Sequence, residues 1–136
     1  ELMQAVTIPA VAASAVISGA GELETPSDVD LFRFTIPAGA TVRVDMASVV
    51  ANAFIGNVRL FNAQGTQIAI GTTGTPAEYT ATSTETIFIG FSSNANINYN
   101  PIVSASGDAG VAGAYTATIE IDPDFRVVQT GSRLQI

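Results

Sequence analysis

The chain reads as an all-β protein, a two-sheet antiparallel β-sandwich of about eight strands. Three observations predict it. Short alternations of apolar and polar residues recur along the sequence, as in Leu31-Phe32-Arg33-Phe34-Thr35-Ile36, and a period of two is the strand period. Turn residues separate these runs at spacings of roughly 8–12 residues, the rhythm of sandwiches. No long segment carries the 3.6-residue apolar stripe of a helix. The length of 136 residues fits one domain and suffices to bury a core without staples.

The elements follow in order. Ala5–Ile8 and Ala15–Ser18 are short β-branched runs separated by Pro9 and small residues. They read as one broken edge strand or two short ones. Two uses stay open: an ordinary first strand, the favoured one, or a donor strand inserted into a neighbouring subunit. Gly19-Ala20-Gly21 reads as a break, followed by an acidic loop over Glu22–Ser27. The next strand puts Phe32, Phe34 and Ile36 on its inner face and ends at Pro37-Ala38-Gly39-Ala40, a turn signal. Val42, Val44 and Met46 then point inward from Thr41–Met46, which predicts a hairpin across that turn.

Ser48–Ile55 is apolar without alternation and is expected to cross between sheets. Asn57–Asn62, with Val58 and Leu60 inward, turns through Ala63-Gln64-Gly65-Thr66 into Gln67–Ile70. Ala77–Ala81 is a short strand, and Thr86–Ser92 alternates through Ile87, Ile89 and Phe91. Residues 94–113 are polar and glycine-rich, a loop length that usually carries function. Ala114–Ile121 closes the sandwich with Tyr115, Ala117, Ile119 and Ile121 on one face. Phe125–Val128 and Leu134–Ile136 add a strand or form a linker. The domain division is therefore 1–18 as an extension or edge or donor strand, 19–121 as the sandwich, and 122–136 as a terminal strand or linker.

Composition excludes much chemistry. There is no Cys, His, Trp or Lys, and all five basic residues are Arg. Disulfides and thiolate metal sites are ruled out, and so is the usual neutral-pH acid/base. Ser and Thr are plentiful, but nothing is present to activate one as a nucleophile. Three Tyr and no Trp make a poor sugar-binding cleft, so the carboxylates do not suggest a glycosidase. The protein is therefore not expected to be an enzyme. A net charge of −7 disfavours nucleic acid, which needs a basic patch, and suits a hard cation such as calcium. No apolar run is long enough to span a membrane. The apolar stretch from Ala5 to Ala20 lacks a basic flank, so it is not an intact signal peptide. With only 12% charged residues, small polar residues must solvate the surface, as in extracellular modules and self-packing subunits.

Four ordered segments carry a resemblance to a known family. They are Gly21-x-Leu23 with Asp28-Val29-Asp30-Leu31-Phe32-Arg33-Phe34 and Pro37-Ala38-Gly39; Val58-Arg59-Leu60-Phe61-Asn62-Ala63-Gln64-Gly65; Ile87-Phe88-Ile89-Gly90-Phe91-Ser92-Ser93 with Asn96, Tyr99 and Pro101; and Gly113–Ile119. Together they resemble the bacterial pre-peptidase C-terminal domains, over residues from Gly19 to Ile121. The resemblance implies a jelly-roll-like sandwich of a secreted or cell-surface protein that is not itself catalytic. Its relatives include the collagen-binding domains of clostridial collagenases, some of which bind calcium. By that likeness Asp28 and Asp30 match an acidic pair at the first conserved strand. Ile55-Gly56-Asn57 and Gly71-Thr72-Thr73 stand where relatives often carry further acids.

Glu22, Glu24, Asp28 and Asp30 are the candidate calcium ligands, since calcium takes six to eight oxygens from a loop that curls round it. The alternative is that Asp28 caps a turn and the glutamates are solvated. Asn96 and Tyr99 are candidates for a ligand-facing loop; the favoured alternative is that Asn96 holds the loop by a hydrogen bond to backbone. Arg33, Arg43 and Arg59 are expected to pair across strands with Asp45 or a Glu. Function is expected to be structural or adhesive, in a larger protein or a surface polymer. A second expectation is a subunit that self-associates through the N-terminal segment. The low charge and the absence of Lys, a residue that blunts sheet edges, motivate it.

Overall fold

The computed structural model describes residues 6–8, 15–103 and 106–122. Nine strands appear in chain order: β1 (Val6–Ile8), β2 (Ala15–Leu23), β3 (Asp30–Ile36), β4 (Thr41–Ser48), β5 (Gly56–Phe61), β6 (Gln67–Thr72), β7 (Ala77–Thr80), β8 (Glu85–Ser93) and β9 (Gly113–Asp122). Sheet I has the order β1-β3-β8-β5-β6 and sheet II the order β2-β9-β4-β7. Eight strands are antiparallel, four in each sheet; β1 is added in parallel to the outer edge of β3. From β2 onward the chain alternates between sheets and pairs only β5 with β6 as chain neighbours. That connectivity is a jelly roll, as the resemblance implied.

The alternating residues meet between the sheets. Phe34 and Ile36 of β3 and Ile87 and Ile89 of β8 pack with Val42 and Val44 of β4, all fully buried. Each such side chain contributes about 1.5–3 kcal/mol by leaving water. A smaller cluster sits on the other face of sheet I, where Phe61, Phe88 and Tyr99 pack with Val29 and Leu31. β8 is therefore covered on both faces, which explains its nearly continuous apolar run.

The expected hairpin across Pro37–Ala40 does not form. β3 pairs with β8 in sheet I, and β4 pairs with β7 and β9 in sheet II. The turn is an arch between sheets: Gly39 N–H donates to Ala81 O at 2.8 Å, and Ala81 N–H donates to Ala40 O at 3.0 Å. Inward alternation looks the same for strands side by side and for strands stacked face to face. Among the described residues the hairpin is β5–β6. There Asn62 Oδ1 accepts from the backbone of Gln64 and Thr66, and Gly65 adopts φ 84°. The 49–55 segment crosses between sheets as expected.

Gly19-Ala20-Gly21 does not break the chain either. β2 runs through it, paired with β9 along its whole length, so the division at residue 18 falls inside a strand. Gly21 faces Tyr115 in register, and a Cβ there would lie 2.5 Å from the tyrosine ring. The glycine is the space under an aromatic side chain. The terminal segment expected over 122–136 lies outside the described residues beyond Asp122.

Candidate functional site

The strand order brings the β2–β3, β4–β5, β6–β7 and β8–β9 connections to one end of the sandwich. The sequence-predicted acids lie there. Leu23 is buried and fixes the end of β2, while Glu22 and Glu24 are exposed. Thr25–Asp28 is a turn closed by Asp28 N–H donating to Thr25 O at 3.0 Å. The Asp28 carboxylate accepts from Glu24 N–H and from Val29 N–H, each at 3.0 Å. Asp28 thus caps its own loop, the commoner role of an aspartate in a turn.

Asp30 is directed elsewhere. Its Oδ2 accepts from the Tyr115 hydroxyl at 2.5 Å, the short distance of a charge-assisted bond. Burial raises its pKa above the ordinary carboxylate value; the Tyr115 bond opposes this, and the charges of Asp28 and Glu24 add to the rise. Burial and the same bond push the Tyr115 hydroxyl up. A calcium ion needs carboxylates converging on one point. Among the described residues no three acidic groups converge in that way, and Asp28 and Asp30 already serve hydrogen-bond donors. The donor set, as arranged, does not fit a calcium shell.

Asn96 ties loops together. Its Nδ2 donates to Ser27 O at 3.1 Å, and its Oδ1 accepts from Asp108 N–H at 2.7 Å. Gly110 N–H donates to Pro26 O at 2.6 Å, and Asn94 N–H to Ile55 O at 2.7 Å. The long loop is therefore laced to both neighbouring connections, which is the loop-holding role expected of Asn96. Tyr99 lies back over the outer face of sheet I, buried against Phe61, with its hydroxyl over the backbone of Gly90. Arg59 stacks 4.7 Å from the Phe61 ring centre and 4.5 Å from that of Tyr99, and donates to Tyr99 O at 2.7 Å. Tyr99 anchors the loop and offers no ring surface to a ligand. Burial pushes its phenol pKa up against the opposing influence of Arg59.

The three strand arginines divide. Arg43 pairs with Glu78 and Asp122, at 2.5 and 2.6 Å. Asp45, the partner expected from sequence, instead accepts from Met46 N–H and Gly74 N–H. Arg33 lies over the Phe88 ring, 5.6 Å from its centre, and Arg59 meets two rings, the Tyr99 carbonyl and the Gln67 side-chain amide oxygen rather than a carboxylate.

What sequence reasoning missed at this end is apolar. Val49, Val50 and Ile55 of the β4–β5 connection are 57%, 69% and 59% exposed. Ile97, Ile102, Val103 and Val111 of the β8–β9 connection are exposed too, and elsewhere among the described residues Ile70 is the one exposed large hydrophobic. The signal was present in the non-alternating run Val49–Ile55, of which Phe54 enters the core and Val49, Val50 and Ile55 do not. The charged neighbours Glu22, Glu24, Asp28 and Asp108 are all acidic, and residues 22–29, 49–55 and 94–112 contain no arginine.

No protein-family model and no curated protein sequence matches the chain. Solved structures do. The pre-peptidase C-terminal domain of a collagenase from Bacillus anthracis matches with TM-score 0.53 and 12% identity, over 85% of this chain and 94% of that one. A periplasmic inhibitor of g-type lysozyme from Aeromonas hydrophila matches with TM-score 0.50 and 15% identity, over 87% of this chain and 96% of that one. Among the described residues no helix is long and apolar enough to cross a membrane. At these identities the likeness is one of fold: a β-sandwich like that of the pre-peptidase C-terminal domain and of the lysozyme inhibitor.

Proposed function

We propose that this chain is a non-catalytic β-sandwich module working outside the cytoplasm, whose task is contact with another protein through its loop end. The observation that carries the proposal is the gathering of exposed apolar side chains on the β4–β5 and β8–β9 connections, beside acids and without a basic residue. Scattered exposed apolar residues are ordinary, but a gathered patch with a polar rim marks an interaction site. The lacing by Asn96, Asn94 and Gly110 holds that surface in shape before a partner arrives, which lowers the ordering cost of binding. The lack of His, Lys and Cys supports the non-catalytic part. Calcium has no role in this reading.

The two structural likenesses supply probes: a g-type lysozyme and fibrillar collagen. The expected result is that one of them binds the folded chain. Val49→Ser/Val50→Ser/Ile55→Ser should then weaken that binding by about tenfold or more, as loss of central apolar anchors does, while Ile70→Ser on β6 leaves it unchanged. Failure of both probes to bind, or equal losses from the two variants, overturns the reading.

A further inference from the structure

The two lateral seams of the sandwich are built differently. On one side β6 ends sheet I and β7 ends sheet II. They are joined directly by residues 73–76, with reciprocal backbone bonds between Thr72 and Thr75 at 2.9 and 2.8 Å. On the other side an apolar cavity of about 190 Å³ opens between β2 and β3. Sheet II contributes Gly19 and Ala117, which are register partners, and sheet I contributes Phe32 and Phe91. Along the strands the cavity is bounded by Ile119 on one side of Ala117 and Tyr115 on the other. Two small residues side by side thus leave a gap in a layer that longer side chains fill elsewhere. The described ends of the first two strands, Ile8 and Ala15, pair with Phe34 and Ile121, farther from the loop end than the gap.

Gly19 has no structural reason to be glycine. A glycine inside a strand weakens it, and marks a bulge, a sharp bend, the close approach of another backbone, or the place of a ligand. The register of β2 against β9 runs unbroken from Ala15 to Leu23, so β2 has no bulge there. Among the described residues a Cβ at Gly19 would meet no atom within 4 Å, and Gly19 is not one of the glycines with positive φ. Gly21, two residues on, is the contrast, because its missing Cβ makes room for Tyr115. What the missing side chain of Gly19 makes room for is the cavity.

We propose that this cavity is a binding site for a small uncharged aromatic molecule. Its size sets the scale of the ligand. It is smaller than the clefts of about 300–1,000 Å³ that hold drug-sized ligands, and close to an apolar cavity of about 150 Å³ that takes benzene in another protein. Its lining sets the charge. No Asp, Glu or Arg is among the described lining residues, so a charged ligand would lose its water without gaining a partner. Its wall sets the shape. The Phe91 ring meets Phe32 edge-on at 5.7 Å between centres and lies tilted against Tyr115 at 5.5 Å, so a guest ring finds both edges and faces to pack on. Tyr115 gives its hydroxyl to Asp30, which leaves the ring and not the polar tip for the ligand. None of the exposed apolar residues of the loop end lines this cavity, so the site is separate from the protein-contact surface.

Toluene is the probe, with benzoate as its charged counterpart. Titrated into the whole chain and followed by amide NMR, toluene should give saturable shifts centred on Gly19, Phe32 and Ala117. Benzoate at the same concentrations should give none there. Gly19→Leu puts a side chain into the gap and should weaken toluene binding by about tenfold or more, because the space that takes the ligand is then filled. Ala117→Leu fills the same space from β9 and should act alike, which keeps the test decisive if Gly19→Leu does not fold. Val49→Ser/Val50→Ser/Ile55→Ser should bind toluene as the unaltered chain does. Shifts that do not saturate, shifts centred on Val49, Val50 and Ile97 instead, or benzoate binding as well as toluene would each overturn the proposal. So would a folded Gly19→Leu or Ala117→Leu chain that binds toluene as tightly as the unaltered one.

Discussion

Two tyrosines in this protein lie over two strand glycines, and they are not equivalent. Tyr115 of β9 covers Gly21 of β2 on the inner side of sheet II, and its hydroxyl donates to Asp30. Tyr99 of the long loop covers Gly90 of β8 on the outer side of sheet I, and its buried hydroxyl has no hydrogen-bond partner among the described residues. In each case the missing side chain lets a ring settle on the strand backbone. The difference lies in the polar tip. At the inner corner the hydroxyl satisfies a half-buried carboxylate, so each group depends on the other. On the outer face the ring and Arg59 do the holding, and the hydroxyl carries a desolvation cost without return.

The sharpest way to break the outer contact is Gly90→Val. A side chain there collides with the Tyr99 hydroxyl and with Leu31, so the loop must lift. A loss of about 3 kcal/mol is expected from overpacking, with hydrogen exchange across residues 94–112 accelerating more than in the core. Denaturant unfolding together with exchange mapping checks this; a loss spread evenly over the fold would contradict it. Next in size is Tyr115→Phe, which strips Asp30 of its donor and should cost about 2 kcal/mol, as an unsatisfied buried group does.

Asp30 adds a pH dependence to the same corner. Its folded-state pKa is raised, so the folded protein keeps a proton that the unfolded chain has already lost. Stability should then fall as pH rises from the ordinary carboxylate value to the higher folded one. Asp30→Asn, which still accepts from Tyr115, should remove that slope; an unchanged profile would assign the slope to another acid. The smallest effect expected is that of Tyr99→Phe. Removing a hydroxyl without a partner should shift stability by less than about 0.5 kcal/mol, or raise it. A loss equal to that of Tyr115→Phe would erase the contrast between the two sites.

Much of the fold was legible because alternation is a local property. Phe34 and Ile36, Val42 and Val44, and Ile87 and Ile89 each announce an inner face within a few residues of sequence. The Asn62–Thr66 turn was readable for the same reason, since its side-chain bonds are made within five residues of chain. The role of Asn96 was half legible: a loop asparagine that bonds backbone was expected, but not that the backbone would be Ser27, 69 positions away. The acids of the Glu22–Asp30 stretch were visible as a group, and the turn at Thr25–Asp28 and the pull of Tyr115 then separated Asp28 from Asp30.

By itself the sequence determined the strands, their inward faces, the absence of the side chains that ordinary catalysis uses, and the excess of acid. Those follow from period, composition and turn chemistry, all of which act over a few residues. Tertiary structure alone decided which strands pair, so that Pro37–Ala40 became an arch between sheets and not a hairpin. It decided that Gly21 and Gly90 are seats for tyrosines, that Asp30 answers Tyr115, and that within the apolar run Val49–Ile55 Phe54 enters the core while Val49, Val50 and Ile55 end exposed. Each of these depends on segments distant in sequence meeting in space, and no local pattern records that meeting.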